Sequence, residues 1–208
     1  MKKKMVSVSI LGASDKLEAV RLLNGTSCDF IHIDVMDGEF VANKAFSMSL
    51  VRKINRITEK RMDVHLMVRD VEMYVKRLTG MNIGYVTFHI EAVGDRDIGG
   101  IIGCIRDMGY GVGISIKPDT DIGVLKGIID IVDMVLVMSV EPGKGGQEFM
   151  IESVARIKEI RKMRRDVIIS VDGGINDMTS FLVDTDMVVV GSYITSSSDY
   201  EERIERVR

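Results

Sequence analysis

The segment FIHIDV, residues 30–35, decides how the rest of the chain is read. It is apolar on both faces, as strands buried in a parallel sheet are. Two polar residues interrupt it, His32 and Asp34, which lie two apart and so project to the same side of a strand. Working outward, seven further runs share this Val- and Ile-rich make-up: Val6–Leu11, Met62–Val68, Tyr85–His89, Gly111–Ile116, Met134–Val140, Val167–Val171 and Met187–Val190. Between them lie stretches with apolar residues at helical spacing. These are Lys16–Asn24, with a candidate cap at Ser14, then Leu50–Glu59, Val71–Thr79, Ile98–Met108, Ile122–Ile129 and Ile151–Arg164. The charged run Asp199–Arg208 reads as a last, solvated helix, and the connection from Val171 to Met187 leaves room for two or three turns at most. Repeated βα units predict parallel strands, right-handed crossovers and helices outside. Eight of them close a (β/α)8, or TIM, barrel. An open doubly wound sheet is the alternative that strand count leaves standing.

The 208 residues fit a single domain over 1–208, compact for a barrel that typically runs to ~250. Charged residues make up 28% and the formal net charge is −3, so no field for nucleic acid or a membrane surface is expected. The basic start Met1-Lys2-Lys3-Lys4 precedes an apolar run too short for a signal peptide and reads as a frayed terminus. No apolar run approaches the ~20 residues of a membrane span, and a cytoplasmic protein is expected. Cys28 and Cys104 lie far apart outside any Cys-x-x-Cys pair, which suits a reducing compartment and small core roles.

Function in such a barrel collects at the strand C-terminal ends. Strand 2 ends in His32-Ile33-Asp34, strand 3 carries His65 and strand 7 ends in Asp172. Two imidazoles and two carboxylates converging on one mouth make a divalent-metal site for Zn, Fe(II), Mn or Co. Four ionisable groups aimed into one interior are costly without a cation, which weighs against four separately satisfied structural residues. Glycine-rich segments follow strands 6, 7 and 8: Glu141-Pro142-Gly143-Lys144-Gly145-Gly146-Gln147, Asp172-Gly173-Gly174-Ile175-Asn176 and Gly191-Ser192. Bare backbone N–H groups there suit a phosphate, so a phosphorylated substrate reaching the metal is expected. His89, ending strand 4, reads as a supporting residue, and Asp37-Gly38 as a turn.

The segments Ser9-Ile10-Leu11, HIDVMDGEFV (32–41), DVHLMV (63–68), TFHIEA (87–92), VMSVEPGKGGQEF (137–149), SVDGGIN (170–176) and VVVGS (188–192) together resemble the ribulose-phosphate 3-epimerase family, in order and over nearly the whole chain. The resemblance implies a TIM barrel, one divalent metal and epimerisation of ribulose 5-phosphate to xylulose 5-phosphate, a pentose phosphate pathway step. It also implies a cis-enediolate intermediate and a homo-oligomer. Carried over residue by residue, it implies His32, Asp34, His65 and Asp172 as metal ligands, with Asp34 and Asp172 as the acid–base pair. It places Ser9, His65, Asp172, Met36, Met67 and Met138 against the sugar, and Gly143, Gly145, Gly146, Gln147, Gly173, Gly174, Gly191 and Ser192 around the rest of the substrate. Departures are Ala42 where the family usually has Pro, a 44–49 stretch without its Gly-Pro step, and Lys144 where an aromatic residue is common.

Three alternatives compete with this reading. A 3-epimerase of a six-carbon ketose phosphate, such as allulose 6-phosphate, would share the metal and both Asp residues. A decarboxylating barrel would call for Asp-x-Lys-x-x-Asp on strand 3, where the chain reads Asp63-Val64-His65-Leu66-Met67-Val68. A non-catalytic phosphate-binding barrel would need neither four ligands nor two bases.

Overall fold

The computed structural model describes residues 3–94 and 96–208, so Met1 and Lys2 of the basic start lie outside the described residues. The strands are β1 (Met5–Ser9), β2 (Phe30–Asp37), β3 (Lys44–Ala45), β4 (Arg61–Met67), β5 (Ile83–His89), β6 (Gly111–Ile116), β7 (Met134–Met138), β8 (Ile168–Asp172) and β9 (Met187–Val190). Eight of them pair in parallel, and β1 hydrogen-bonds both β2 and β9. The sheet therefore closes into a barrel, and the open-sheet alternative is excluded. β3 stands outside the ring as a two-residue antiparallel partner of the end of β2, pairing Met36 with Ala45 and Asp37 with Lys44. No periodicity announces so short an element.

Around the barrel run α1 (Lys16–Asn24), α2 (Met48–Ile57), α3 (Val71–Lys76), α4 (Ile90–Val93), α5 (Ile98–Asp107), α6 (Glu152–Met163), α7 (Ser192–Thr195) and α8 (Tyr200–Val207). The helices bury Val20 and Leu23, Val51 and Ile54, Ile101 and Ile105, and Ile157 and Ile160 against the sheet. Full burial of each such side chain is worth about 1.5–3 kcal/mol. The cap of α1 is Asp15 rather than Ser14: its Oδ1 accepts from the N–H groups of Leu17 and Glu18. A carboxylate there also meets the positive end of the helix.

Two expected helices are reduced. Residues 122–131 form two 3-10 turns, Ile122–Leu125 and Ile129–Ile131, instead of the helix expected over 122–129. Gly127, at φ +80°, breaks the segment between them. Between β8 and β9 the one helical element is the 3-10 turn Ser180–Leu182. Among the described residues no helix is long and apolar enough to cross a membrane.

Candidate active site

The register sets the site. β2 and β4 pair His32 with Asp63, Asp34 with His65 and Met36 with Met67, so three layers of side chains climb the barrel from two adjacent strands. His32 Nε2 lies 3.2 Å from Asp34 Oδ1 and 3.9 Å from Asp172 Oδ2. His65 Nδ1 lies 3.6 Å from Asp34 Oδ1 and 3.9 Å from Asp172 Oδ2. One donor atom from each of the four residues falls within 4.8 Å of the others. The side chains of His32 and His65 are wholly buried, while that of Asp172 is 19% exposed.

These four residues fit a shared cation on the structure's own terms. His32 Nε2 and His65 Nδ1 are buried ring nitrogens without a hydrogen-bond partner. The nitrogen on the far side of each ring is held, His32 Nδ1 by Asp63 Oδ2 at 2.8 Å and His65 Nε2 by His89 Nε2 at 2.9 Å. An orphaned nitrogen is costly to bury, whereas a ring held from behind and free in front is how metal-binding imidazoles are oriented. A His2Asp2 donor set suits Zn, Fe(II), Mn or Co.

Proximity separates the two carboxylates. Burial pushes the Asp172 carboxyl up to about 6, with Asp34 adding to the rise and the two imidazoles opposing it. Burial also disfavours the Asp34 anion, but His32 and His65 outweigh it and hold that carboxyl far below the usual range. His32 moves the other way: burial would lower it, and Asp34 and Asp63 raise it well above the ordinary imidazole value. Ser9 Oγ, at the end of β1, donates to Asp34 Oδ2 at 2.8 Å and fixes that carboxylate.

Above the cluster opens a cavity of about 410 Å³. Asp34 and Asp172 form part of its floor beside Met36, Met67 and Met138, with Ser9 at one side. Its far wall is backbone: Gly143, Gly145 and Gly146 after β7, Gly173 and Gly174 after β8, and Gly191 and Ser192 after β9. Gly174 needs its lack of a side chain, because at φ +62° an added Cβ would sit 2.4 Å from the Phe149 backbone nitrogen. Gln147 also lines the cavity, but its amide donates to the carbonyls of Glu141 and Lys144, so it fastens the loop. His65, by contrast, is fully buried and is not among the residues that line the cavity. The Asp37-Gly38 turn is present, with Asp37 Oδ1 accepting from the N–H groups of Glu39 and Phe40.

Two supports had no role assigned from sequence. Asp63 lies two residues before His65 on the same face of β4, a spacing that could have marked it. Glu91 accepts from His89 Nδ1 at 3.2 Å across the end of β5, where no periodicity points to the pairing.

A closed (β/α)8 barrel with two imidazoles and two carboxylates gathered under a glycine-walled cavity defines a barrel enzyme with a candidate metal centre at its strand ends. The profile of the ribulose-phosphate 3-epimerase family matches residues 5–195. The chain is 34% identical to the ribulose-phosphate 3-epimerase of Bacillus subtilis (strain 168), covering 86% of each chain. It is 33% identical to the chloroplastic ribulose-5-phosphate-3-epimerase of Arabidopsis thaliana, over 98% of this chain and 76% of that one. The chain belongs to the ribulose-phosphate 3-epimerase family and is an enzyme of the carbohydrate-isomerase type. Among solved structures it resembles KGPDC from Streptococcus mutans (TM-score 0.72, 14% identity, 98% and 95% covered). It also resembles 3-hexulose-6-phosphate synthase from Salmonella typhimurium (TM-score 0.69, 20% identity, 98% and 96% covered). At these identities the likeness concerns the fold alone.

Proposed function

We propose that the chain interconverts D-ribulose 5-phosphate and D-xylulose 5-phosphate by moving a proton on and off C3. The observation that carries this reading is the pairing of Asp34, from β2, with Asp172, from β8, on the floor of one cavity and in opposite protonation tendencies. Inversion at C3 needs a base on one face of the sugar and an acid on the other. Two carboxylates reaching in from strands well apart around the ring supply both with no further side chain.

In this reading the ionised carboxylate takes the C3 proton, leaving a planar cis-enediolate. The second, protonated carboxyl returns a proton to the opposite face, and the roles exchange in the reverse reaction. Ser9 holds Asp34 in place through its 2.8 Å hydrogen bond, and Met36, Met67 and Met138 give the intermediate an apolar bed that sheds water. The N–H groups after β7, β8 and β9 hold the phosphate, keeping C3 in register with both acids. His32 Nε2, Asp34 Oδ1, His65 Nδ1 and Asp172 Oδ2 would hold one divalent ion of Zn, Fe(II), Mn or Co. That ion would supply Lewis-acid stabilisation of the negative charge that develops on the sugar oxygens.

The decisive experiment follows solvent deuterium into C3 of ribulose 5-phosphate, with and without a chelator. Exchange that the chelator abolishes and added metal restores is expected, and exchange indifferent to metal overturns the reading. Comparing kcat/KM on five- and six-carbon ketose phosphates tests the substrate, and a clear preference for allulose 6-phosphate would replace it. Assembly as a homo-oligomer belongs to the same proposal. It is supported by the exposed Met178, Phe181 and Leu182 and is checked by sedimentation. A cytoplasmic setting suits the two free cysteines, Cys28 and Cys104.

A further inference from the structure

Behind His65, in one hydrogen-bonded chain, stand two side chains, His89 and Glu91, that the epimerisation itself does not call on. His65 Nε2 lies 2.9 Å from His89 Nε2, and His89 Nδ1 lies 3.2 Å from Glu91 Oε2. The other Glu91 oxygen, Oε1, accepts from the Lys117 backbone N–H at 2.8 Å and from the Thr120 hydroxyl. Both imidazoles are wholly buried, and the Phe40 ring covers His89 at 4.8 Å between centroids.

Each link between two neutral imidazoles has one proton, so the chain has two polarities. In the first, His65 Nε2–H donates to His89 Nε2 and His89 Nδ1–H donates to Glu91, leaving a lone pair on His65 Nδ1. In the second, every proton is reversed: His89 turns a lone pair toward the Glu91 carboxylate, and His65 Nδ1 carries the proton. Two acceptors facing each other in a buried site are strongly disfavoured. A carboxylate accepts only, so its presence selects the first polarity.

We propose that Glu91 is a positioning residue which, through His89, sets the tautomer of His65 and so keeps the Nδ1 lone pair aimed at the metal site. This rests on the metal reading above only for its consequence; the tautomer itself is a property of the chain alone. The orientation of Glu91 sharpens the test. In Glu91→Gln, the fixed Lys117 N–H requires an oxygen at the Oε1 position, which turns the amide NH2 toward His89 Nδ1. That nitrogen must then accept, and the polarity of the whole chain reverses. A proton lands on His65 Nδ1, the atom that is to bind the ion.

Long-range 1H–15N NMR of the metal-free protein reads histidine tautomers directly. The wild type is expected to show His65 and His89 protonated on Nε2 and Nδ1 respectively, and Glu91→Gln to show both reversed with the fold intact. Cobalt(II) titration should then give a Kd weakened about 10- to 100-fold in the variant. Unchanged tautomers in Glu91→Gln, or a Kd within twofold of wild type, overturn the proposal. Should the variant not fold, a wild-type His65 protonated on Nδ1 overturns it equally. If the wild type takes up no cobalt at all, the metal reading falls, while the tautomers still decide this one.

Discussion

Asp63 and His32 face each other across β4 and β2, and Asp63 Oδ2 accepts from His32 Nδ1 at 2.8 Å while also accepting from Ser7 Oγ at 2.9 Å. All three residues are buried, so Asp63 has two dependants and no water to replace it. Asp63→Ala leaves both donors orphaned, at a cost of about 1–3 kcal/mol in urea unfolding. It also frees the His32 ring to turn. Cobalt(II) affinity is expected to fall about 10- to 100-fold, measured by chelator competition.

Asp172→Asn retains the size and most contacts of the side chain while removing its acid. Asp34→Asn does the same at the opposite side of the cavity floor. Each is expected to lower kcat for epimerisation by about 10²–10⁴-fold, the usual weight of a general acid or base. The far-ultraviolet circular dichroism should stay that of the wild type. A variant that keeps full turnover would remove that carboxylate from the reaction.

Gly174 sits at φ +62°, where a Cβ would come within 2.4 Å of the Phe149 nitrogen and 2.7 Å of its Cα. Backbone cannot swing aside as a side chain can. Gly174→Ala is expected to lose about 1–3 kcal/mol of stability, as residues forced into strained conformations do. The loop after β8 moves with it, so KM for the sugar phosphate should rise more than kcat falls. Urea unfolding and steady-state kinetics read the two effects.

What could be read ahead of the structure followed from how strongly each feature writes itself into local pattern. β9 falls on the expected residues because a strand buried on both faces is an almost unbroken run of Val, and β6 does so through Val112, Ile114 and Ile116 despite its two glycines and a serine. The gathering of His32, Asp34, His65 and Asp172 was legible because polar residues inside such runs have to point somewhere costly. β3 was not, since two residues have no period. The expected helix over 122–129 failed on Gly127, whose positive φ outweighs the apolar spacing around it. The support of His65 was hidden for another reason. His89 ends a strand and Glu91 lies in the following helix, so neither periodicity places them together, and the tie to Lys117 and Thr120 comes from a different βα unit.

Lys144 is the one cation among the described residues that line the cavity; the charged residues beside it there are Asp34, Glu141 and Asp172. A phosphate dianion entering a cavity whose other charged side chains are all acidic gains from any positive charge in the lining. Lys144 is exposed, so its contribution is that of a solvated pair, on the order of 1 kcal/mol, or about 5-fold in binding. Lys144→Gln is expected to raise KM by up to that factor at low salt with kcat unchanged. Above about 0.5 M salt the difference should vanish, because screening removes what the charge supplied. A KM that ignores both the substitution and the salt would place the ammonium in solvent, away from the substrate.

Glu91 also ties stability to pH. Burial alone would raise its carboxyl, but hydrogen bonds from His89, the Lys117 N–H and Thr120 hold it down to about 2, against an ordinary value of 4.5. A carboxyl depressed in the folded state binds fewer protons there than in the unfolded chain between those two values. Its stabilisation is therefore complete above pH 4.5, declines as pH falls and is gone below about 2. His89 acts in a separate window: burial holds its imidazole down to about 4 from 6.5, so its share is lost first on acidification. Glu91→Gln removes the carboxyl term and, below about pH 4, alters the His89 one as well, because the Glu91 carboxylate draws that imidazole upward. Urea unfolding should find the wild type more stable than Glu91→Gln at pH 7 by a margin that stays constant to pH 5 and narrows from there to pH 4. A margin that instead widened between pH 5 and pH 4 would mean that Glu91 is protonated in the folded protein, and the charge-assisted ties to Lys117 and Thr120 would have to be redrawn as neutral ones.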